Sequence, residues 1–404
     1  MYYYYHDNNY LFSLSDEYNF NKISEEEALS NCCCLYYLIK IDKNKSKKTF
    51  AVSACSDLYI KEENIDILVL KETKETIPEK IRELIEHRKI KAVNTSYAGF
   101  EKCFFMEEPR KKRVNILALG DVGSTMLMGL KLLGGESIDS IGIFDRSEDK
   151  IKRWEYEMNQ TSLPFDYDCF PEVHGIKKEE LFDCDLFAFC ASKGVPPVGS
   201  SVKDVRMVQF EENSKLIKEY AQMAAQKKFK GIFAVVSDPV DPLCKVVYEE
   251  SNYMLNPEQI KGYGLGVMNA RASYYAKKEL KFSQFLTEGR AFGPHGNDLI
   301  IADSISNYND ELSSELTKLA VEANLEVRKT GFKPFIAPAL SSGAISIIHT
   351  LAEKWHYSSN FIGGVYMGAK NRNTPAGVEI EKINMPQVLF DRIDRTYKAL
   401  EQIR

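Results

Sequence analysis

The chain predicts an α/β fold built on a doubly wound parallel sheet, and three observations carry that expectation. Short apolar runs alternate with amphipathic stretches from residue 114 onward. A glycine turn, Gly120-Asp121-Val122-Gly123, joins the first of those runs to a helix-like stretch. An aspartate, Asp145, closes the second run. Strands covered by helices on both faces read as near-continuous apolar segments, and alternation with helices implies parallel pairing.

The elements follow in order. At 404 residues, 44% hydrophobic and 27% charged, the chain can bury a large core and is expected to hold two or three domains. Runs 35–41, 49–54 and 65–70 read as strands, 78–87 as a helix with a charged outer face, and 90–94 as a further strand. Together they predict a small N-terminal α/β domain, residues 1–108, to which no chemical motif attaches. Its tyrosine groups, Tyr2 to Tyr5 and Tyr36-Tyr37, read as core and interface residues. Residues 107–113, Glu-Glu-Pro-Arg-Lys-Lys-Arg, read as a solvated linker. Beyond it, strands are expected at 114–119, 140–144, 185–190 and 231–237, with helices at 124–133, 149–159 and 204–226. A nucleotide-binding domain over 114–260 and an α+β substrate domain over 261–404 complete the expected organisation.

Bulk properties narrow the function classes. A net charge of −5 implies no broad basic surface and excludes a general nucleic-acid binder. No apolar stretch is long enough to span a bilayer, and the aromatic start lacks the basic segment of a secretory signal. Nine cysteines without repeated C-x-x-C spacing read as reduced thiols, so a cytoplasmic protein with no membrane partner and no metal is expected. Cys32-Cys33-Cys34 is no metal cluster on this reading, because neighbouring side chains of an extended run point to opposite faces.

The turn after the first strand carries the strongest chemical signal. Gly120 allows the backbone to approach a pyrophosphate, Gly123 allows the helix to pack on the strand, and unpaired helix N–H groups of the Asp121-Val122 turn face the phosphates. The first glycine of the usual G-x-G-x-x-G is Ala118. Asp145 suits a ribose 2′-hydroxyl and hence NAD, whereas Arg146 beside it can accept a 2′-phosphate. Ligands of such sheets sit at the carboxyl ends of the strands. Four stretches there stand out: the loop from Ala191 to Arg206, Val235-Val-Ser-Asp238-Pro-Val-Asp241, Gly264 to Arg271, and Gly293-Pro-His295-Gly296.

Taken in order, these motifs resemble the L-lactate/malate dehydrogenase family over residues 114–404. Arg206 with Asn213 and Lys218 is similar to the family's loop arginine and following helix; Pro239-Val240-Asp241 to its N-P-V-D; Ala270-Arg271 to D-S-A-R; Gly293 to Gly296 to G-E-H-G; and Ser341-Ser342-Gly343-Ala344 to the stretch closing the pocket. The resemblance implies a Rossmann-type domain binding NAD through Gly120, Asp121, Val122, Gly123, Asp145, Arg146 and Ala191, and a homodimer or homotetramer. It also implies a small carboxylate substrate held by Arg271, Ser341 and Ser342, with His295 as base, Arg206 polarising the carbonyl and Asp238 at the strand end. Histidine titrates near neutrality, and a planar guanidinium pairs a carboxylate through two bonds.

Two positions depart from the family. The aspartate three positions before the substrate arginine is Met268, which cannot support an imidazolium. The strand-end asparagine is Asp238, which repels an anionic substrate unless it orients His295 or meets a cationic group. The expected activity is interconversion of a 2-hydroxy acid with its 2-keto acid. The alternatives are a catalytically silent NAD sensor or scaffold, and a dehydrogenase of an amino- or imino-substituted acid.

Overall fold

The computed structural model describes residues 1–193, 205–296 and 298–403, without the side chains of 205–208. Two compact units emerge: residues 1–109 with 361–364 and 371–385, and residues 110–360 with 365–370 and 386–404. The stretches 361–364 and 371–385, expected in the C-terminal domain, thus group with the N-terminal unit.

The N-terminal unit holds strands β1 (Tyr2–His6), β2 (Asn9–Ser13), β3 (Asn21–Ile23), β4 (Leu35–Ile39), β5 (Thr49–Ala51) and β6 (Ile90–Asn94), with helices α1 (Glu25–Asn31) and α2 (Glu79–Glu86). The sheet order is β3-β1-β2-β4-β6-β5. Side chains alternate across a strand, so Tyr3 and Tyr37 enter the core beside α2 while Tyr4 and Tyr36 pack with Phe104 on the other face. Residues 65–70, expected as a strand, instead begin with a 3₁₀ turn, Ile65–Leu68. The side chain of Asn64 accepts from the Asp66 amide at 2.8 Å, a local bond that competes with extension.

The second unit is built on β7 (Lys112–Leu117), β8 (Ile138–Phe144), β9 (Glu172–Gly175), β10 (Leu186–Phe189), β11 (Ile232–Val235) and β12 (Ile260–Gly262). Their order is β9-β8-β7-β10-β11-β12, and every pair is parallel. This is the Rossmann arrangement, in which the chain reverses direction across the sheet between β7 and β10 and opens a crevice there. Helices α3 (Asp121–Leu133), α4 (Glu148–Asn159), α5 (Val205–Gln226) and α6 (Val240–Glu250) connect the strands. Further on lie α7 (Leu265–Lys278), α8 (Phe285–Glu288), the hairpin β13 (Arg290–Phe292) and β14 (Ile300–Ala302), and α9 (Asp310–Lys329). A π-helical turn, Pro338–Ile345, then leads through α10 (Ser346–Leu351) to β15 (His356–Ile362), which pairs antiparallel with β12. Strand β16 (Val365–Thr374) begins in this unit, β17 (Gly377–Ile380) belongs to the N-terminal unit, and helix α11 (Gln387–Glu401) closes the chain. Among the described residues no helix is long and apolar enough to cross a membrane.

Candidate functional site

The glycine turn sits at the carboxyl end of β7, beside the crevice. A side-chain carbon on Gly123 would lie 2.0 Å from the Ala118 carbonyl oxygen, so only glycine lets α3 start this close to the strand. At Gly120 the same addition meets nothing within 4 Å, which leaves open space over the turn. Ala118 has a φ of 75°, the left-handed conformation that glycine usually supplies. The missing first glycine is therefore a substitution within the same backbone shape. Asp121 is exposed and lies 3.3 Å from Lys333, and Val122 is half-buried.

Asp145 ends β8 and turns inward. One carboxylate oxygen accepts from the Leu119 amide at 2.8 Å and lies 3.2 Å from the Lys150 ammonium; the other accepts from the Ser147 amide at 3.2 Å. Burial pushes this carboxyl up, but the Leu119 and Ser147 amides and Lys150 outweigh it and hold it below its ordinary value. A carboxylate offers about four acceptor sites, so one remains for a ribose hydroxyl. These residues fit a dinucleotide: an open glycine turn and an ionised acid with spare acceptor capacity. Arg146 is exposed, and Ala191 at the end of β10 accepts the Ser237 hydroxyl at 2.7 Å.

The opposite wall is organised around one carbonyl. Gly264, the residue before α7, accepts from His295 Nδ1 at 3.0 Å and from the Ser342 hydroxyl at 2.8 Å. Because a carbonyl can only accept, this bond places the proton on Nδ1 and leaves Nε2 as the acceptor of neutral His295. Asp241, at the start of α6, accepts the His295 amide at 3.2 Å; burial pushes its carboxyl up to about 6. The expected link between His295 and Asp238 is replaced by this pair of contacts. Asp238 stands exposed past the end of β11, where Asn213 donates to its carbonyl at 2.7 Å. Asn213 also accepts from the Lys193 amide at 3.0 Å and donates to the Ser192 hydroxyl, tying the loops after β10 and β11 together.

Arg271 lies seven residues beyond Gly264 on the same face of α7. It is half-buried, and NH1 reaches only Met268 Sδ at 3.4 Å and the Ala320 carbonyl at 3.5 Å. Among the described residues no carboxylate pairs with it. Burial draws its pKa down, opposed by the charge of Asp238. Ser342, expected to touch substrate, has its hydroxyl committed to the backbone, donating to Gly264 and accepting from the Val267 amide at 2.8 Å. Ser341 is half-buried, and its carbonyl takes the Ser346 hydroxyl. Arg206 lies in the first turn of α5, outside the described side chains.

Reasoning from the sequence missed the Gly264 carbonyl, since backbone acceptors leave no compositional trace, and it passed over Lys150, which reads as one more charge on a solvated helix. Asp241 stood in plain view within the Pro-Val-Asp motif.

Comparison with known proteins accords with this geometry. No family model matches the chain. It is 27% identical over 220 residues to an L-lactate dehydrogenase of Staphylococcus haemolyticus, and 26% identical over 197 residues to one of Staphylococcus epidermidis. The chain resembles the lactate and malate dehydrogenases. These matches take in 54% and 48% of this chain, and the chain covers 65% and 58% of the two relatives, under two thirds of either. In fold it is similar to a lactate dehydrogenase from a deep-sea metagenome, at a TM-score of 0.61 and 17% identity, over 73% of this chain and 98% of the other. The malate dehydrogenase of Aeropyrum pernix superposes with a TM-score of 0.59 at 15% identity, over 72% and 96% of the two chains.

Proposed function

We propose that the protein is an NAD-dependent oxidoreductase that interconverts a 2-hydroxy acid and its 2-keto acid. The observation that carries this reading is Arg271, a half-buried guanidinium with no carboxylate partner among the described residues. A buried cation is costly unless something pairs it, and a substrate carboxylate does so through two parallel bonds. His295 then takes the hydroxyl proton at Nε2, its ring held by the Gly264 carbonyl. Bound nicotinamide dinucleotide supplies the hydride acceptor. Arg206, entering with the first turn of α5, supports charge on the substrate oxygen. On this proposal the protein works in the cytoplasm, as a homodimer or homotetramer.

The charge of Asp238, felt at Arg271, favours a second reading. An amino- or imino-substituted acid would place its cationic nitrogen against Asp238 and its carboxylate against Arg271.

Calorimetry with the two reduced cofactors tests the proposal. NADH is expected to bind at least about tenfold more tightly than NADPH, because a 2′-phosphate meets the Asp145 carboxylate. Equal or tighter binding of NADPH assigns the pocket to Lys150 and Arg146 instead. Absence of binding by either removes the proposal.

A further inference from the structure

Lys150 stands where the first turn of a helix does not ask for a cation. Ser147 caps α4, its hydroxyl accepting from the Lys150 amide at 3.3 Å, so Lys150 is the third helical residue. That turn lies at the positive end of the helix dipole, which favours acids; Glu148 and Asp149 obey this and Lys150 does not. Its side chain turns back to the end of β8 instead, where the ammonium lies 3.2 Å from Asp145 Oδ2. The same oxygen accepts from the Leu119 amide at 2.8 Å, in the turn that leads from β7 to α3. The Asp145 side chain is 12% exposed and that of Lys150 is 40% exposed. A pair so open to water adds little to stability, so folding alone gives no strong reason for it.

The pair has a chemical consequence at the place where the adenosine ribose of a dinucleotide belongs. A bare carboxylate after this strand turns NADPH away, because the 2′-phosphate would face its charge. Here that charge is met beforehand. Among the described residues the Lys150 ammonium contacts Asp145 alone, so donors remain for a phosphate oxygen. The neutral ribose hydroxyl of NADH draws far less on such a cation.

We propose that Lys150 sets the cofactor selectivity of this pocket: it screens Asp145 and offers an ammonium to a 2′-phosphate, which holds the preference for NADH over NADPH near about tenfold. The inference rests on the dinucleotide reading of the β7–α3 turn. It gives Asp145 the ribose and Lys150 any charge that the ribose carries.

Calorimetry on the full chain with NADH and NADPH tests this. In Lys150→Met the ratio of the two affinities is expected to widen to about a hundredfold or more, the loss falling on NADPH. Methionine suits a half-exposed helix position, and unchanged circular dichroism checks that the fold is kept. Lys150→Arg retains the charge and is expected to keep the ratio within about threefold of the wild type. A ratio that stays put in Lys150→Met while NADH still binds overturns this proposal alone. Loss of NADPH binding confined to Arg146→Met does the same, by giving the phosphate to Arg146. Binding of neither cofactor by the wild type removes the dinucleotide reading and this proposal together.

Discussion

Met268 and Arg271 lie one helical turn apart on α7, and the thioether occupies the place of the family's aspartate while touching the guanidinium at 3.4 Å. The contact reverses what that departure means. An acid at this position would pair with Arg271 rather than serve His295, whose Nδ1 is already bound to the Gly264 carbonyl. Met268→Asp is therefore expected to compete with the substrate carboxylate and raise KM by about tenfold or more, with NADH affinity unchanged. Steady-state kinetics and a cofactor titration on the variant check this. A KM that stays put while kcat rises would restore the aspartate to its family role. Asp238 and Met268 are each legible as departures in the sequence. Their consequences were not, because they depend on which neighbour each side chain meets.

The π-helical turn Pro338–Ile345 serves the elements around it more than it serves a ligand. It packs on α3 through Gly129, where an added side-chain carbon would lie 2.6 Å from Ala344, and on α7 through Gly266, where one would lie 2.8 Å from the Ser341 carbonyl oxygen. Ser342 caps the first turn of α7 and steadies the carbonyl that holds His295. Ser342→Ala leaves the buried Val267 amide without its partner and the Gly264 carbonyl with His295 alone, so a loss of about 1–3 kcal/mol in stability is expected. A fall in kcat with KM retained should accompany it, because the loss reaches His295 and spares Arg271. Denaturant titration and kinetics together test this, and a change in KM alone would contradict it. Strands β7, β8, β10 and β11 and helices α3, α4 and α5 of the second unit were legible to within a few residues, since continuous apolar runs and amphipathic stretches mark a doubly wound sheet. The β1–β2 hairpin was not. Its turn, Asp7-Asn8, takes positive φ at both positions, 45° and 63°, without the glycine that usually announces such a turn. The π-helical turn likewise has no periodic signal of its own.

Across the dehydrogenase-like unit, one buried carboxylate couples the site to stability. Asp241 titrates at about 6 in the fold, against about 4 when unfolded. A raised folded pKa means that the native state holds the proton longer, so its contribution is full below pH about 4 and lost as pH rises through about 6. The loss amounts to roughly 3 kcal/mol for a shift of about two units. Relative to Asp241→Asn, the wild type should therefore lose stability by about that amount between pH about 4 and about 7, read from denaturation midpoints. A flat difference over that window would show that Asp241 is not charged and buried beside His295. The central claim is that Arg271 and His295 form a working site for a hydroxy or keto acid, and consumption of NADH with a panel of 2-keto acids tests it most directly. Turnover with at least one of them is predicted, with kcat/KM falling by about 2–5 kcal/mol in Arg271→Lys and NADH affinity unchanged. Tight NADH binding with no turnover on any keto or imino acid would contradict the account and leave a dinucleotide sensor in its place.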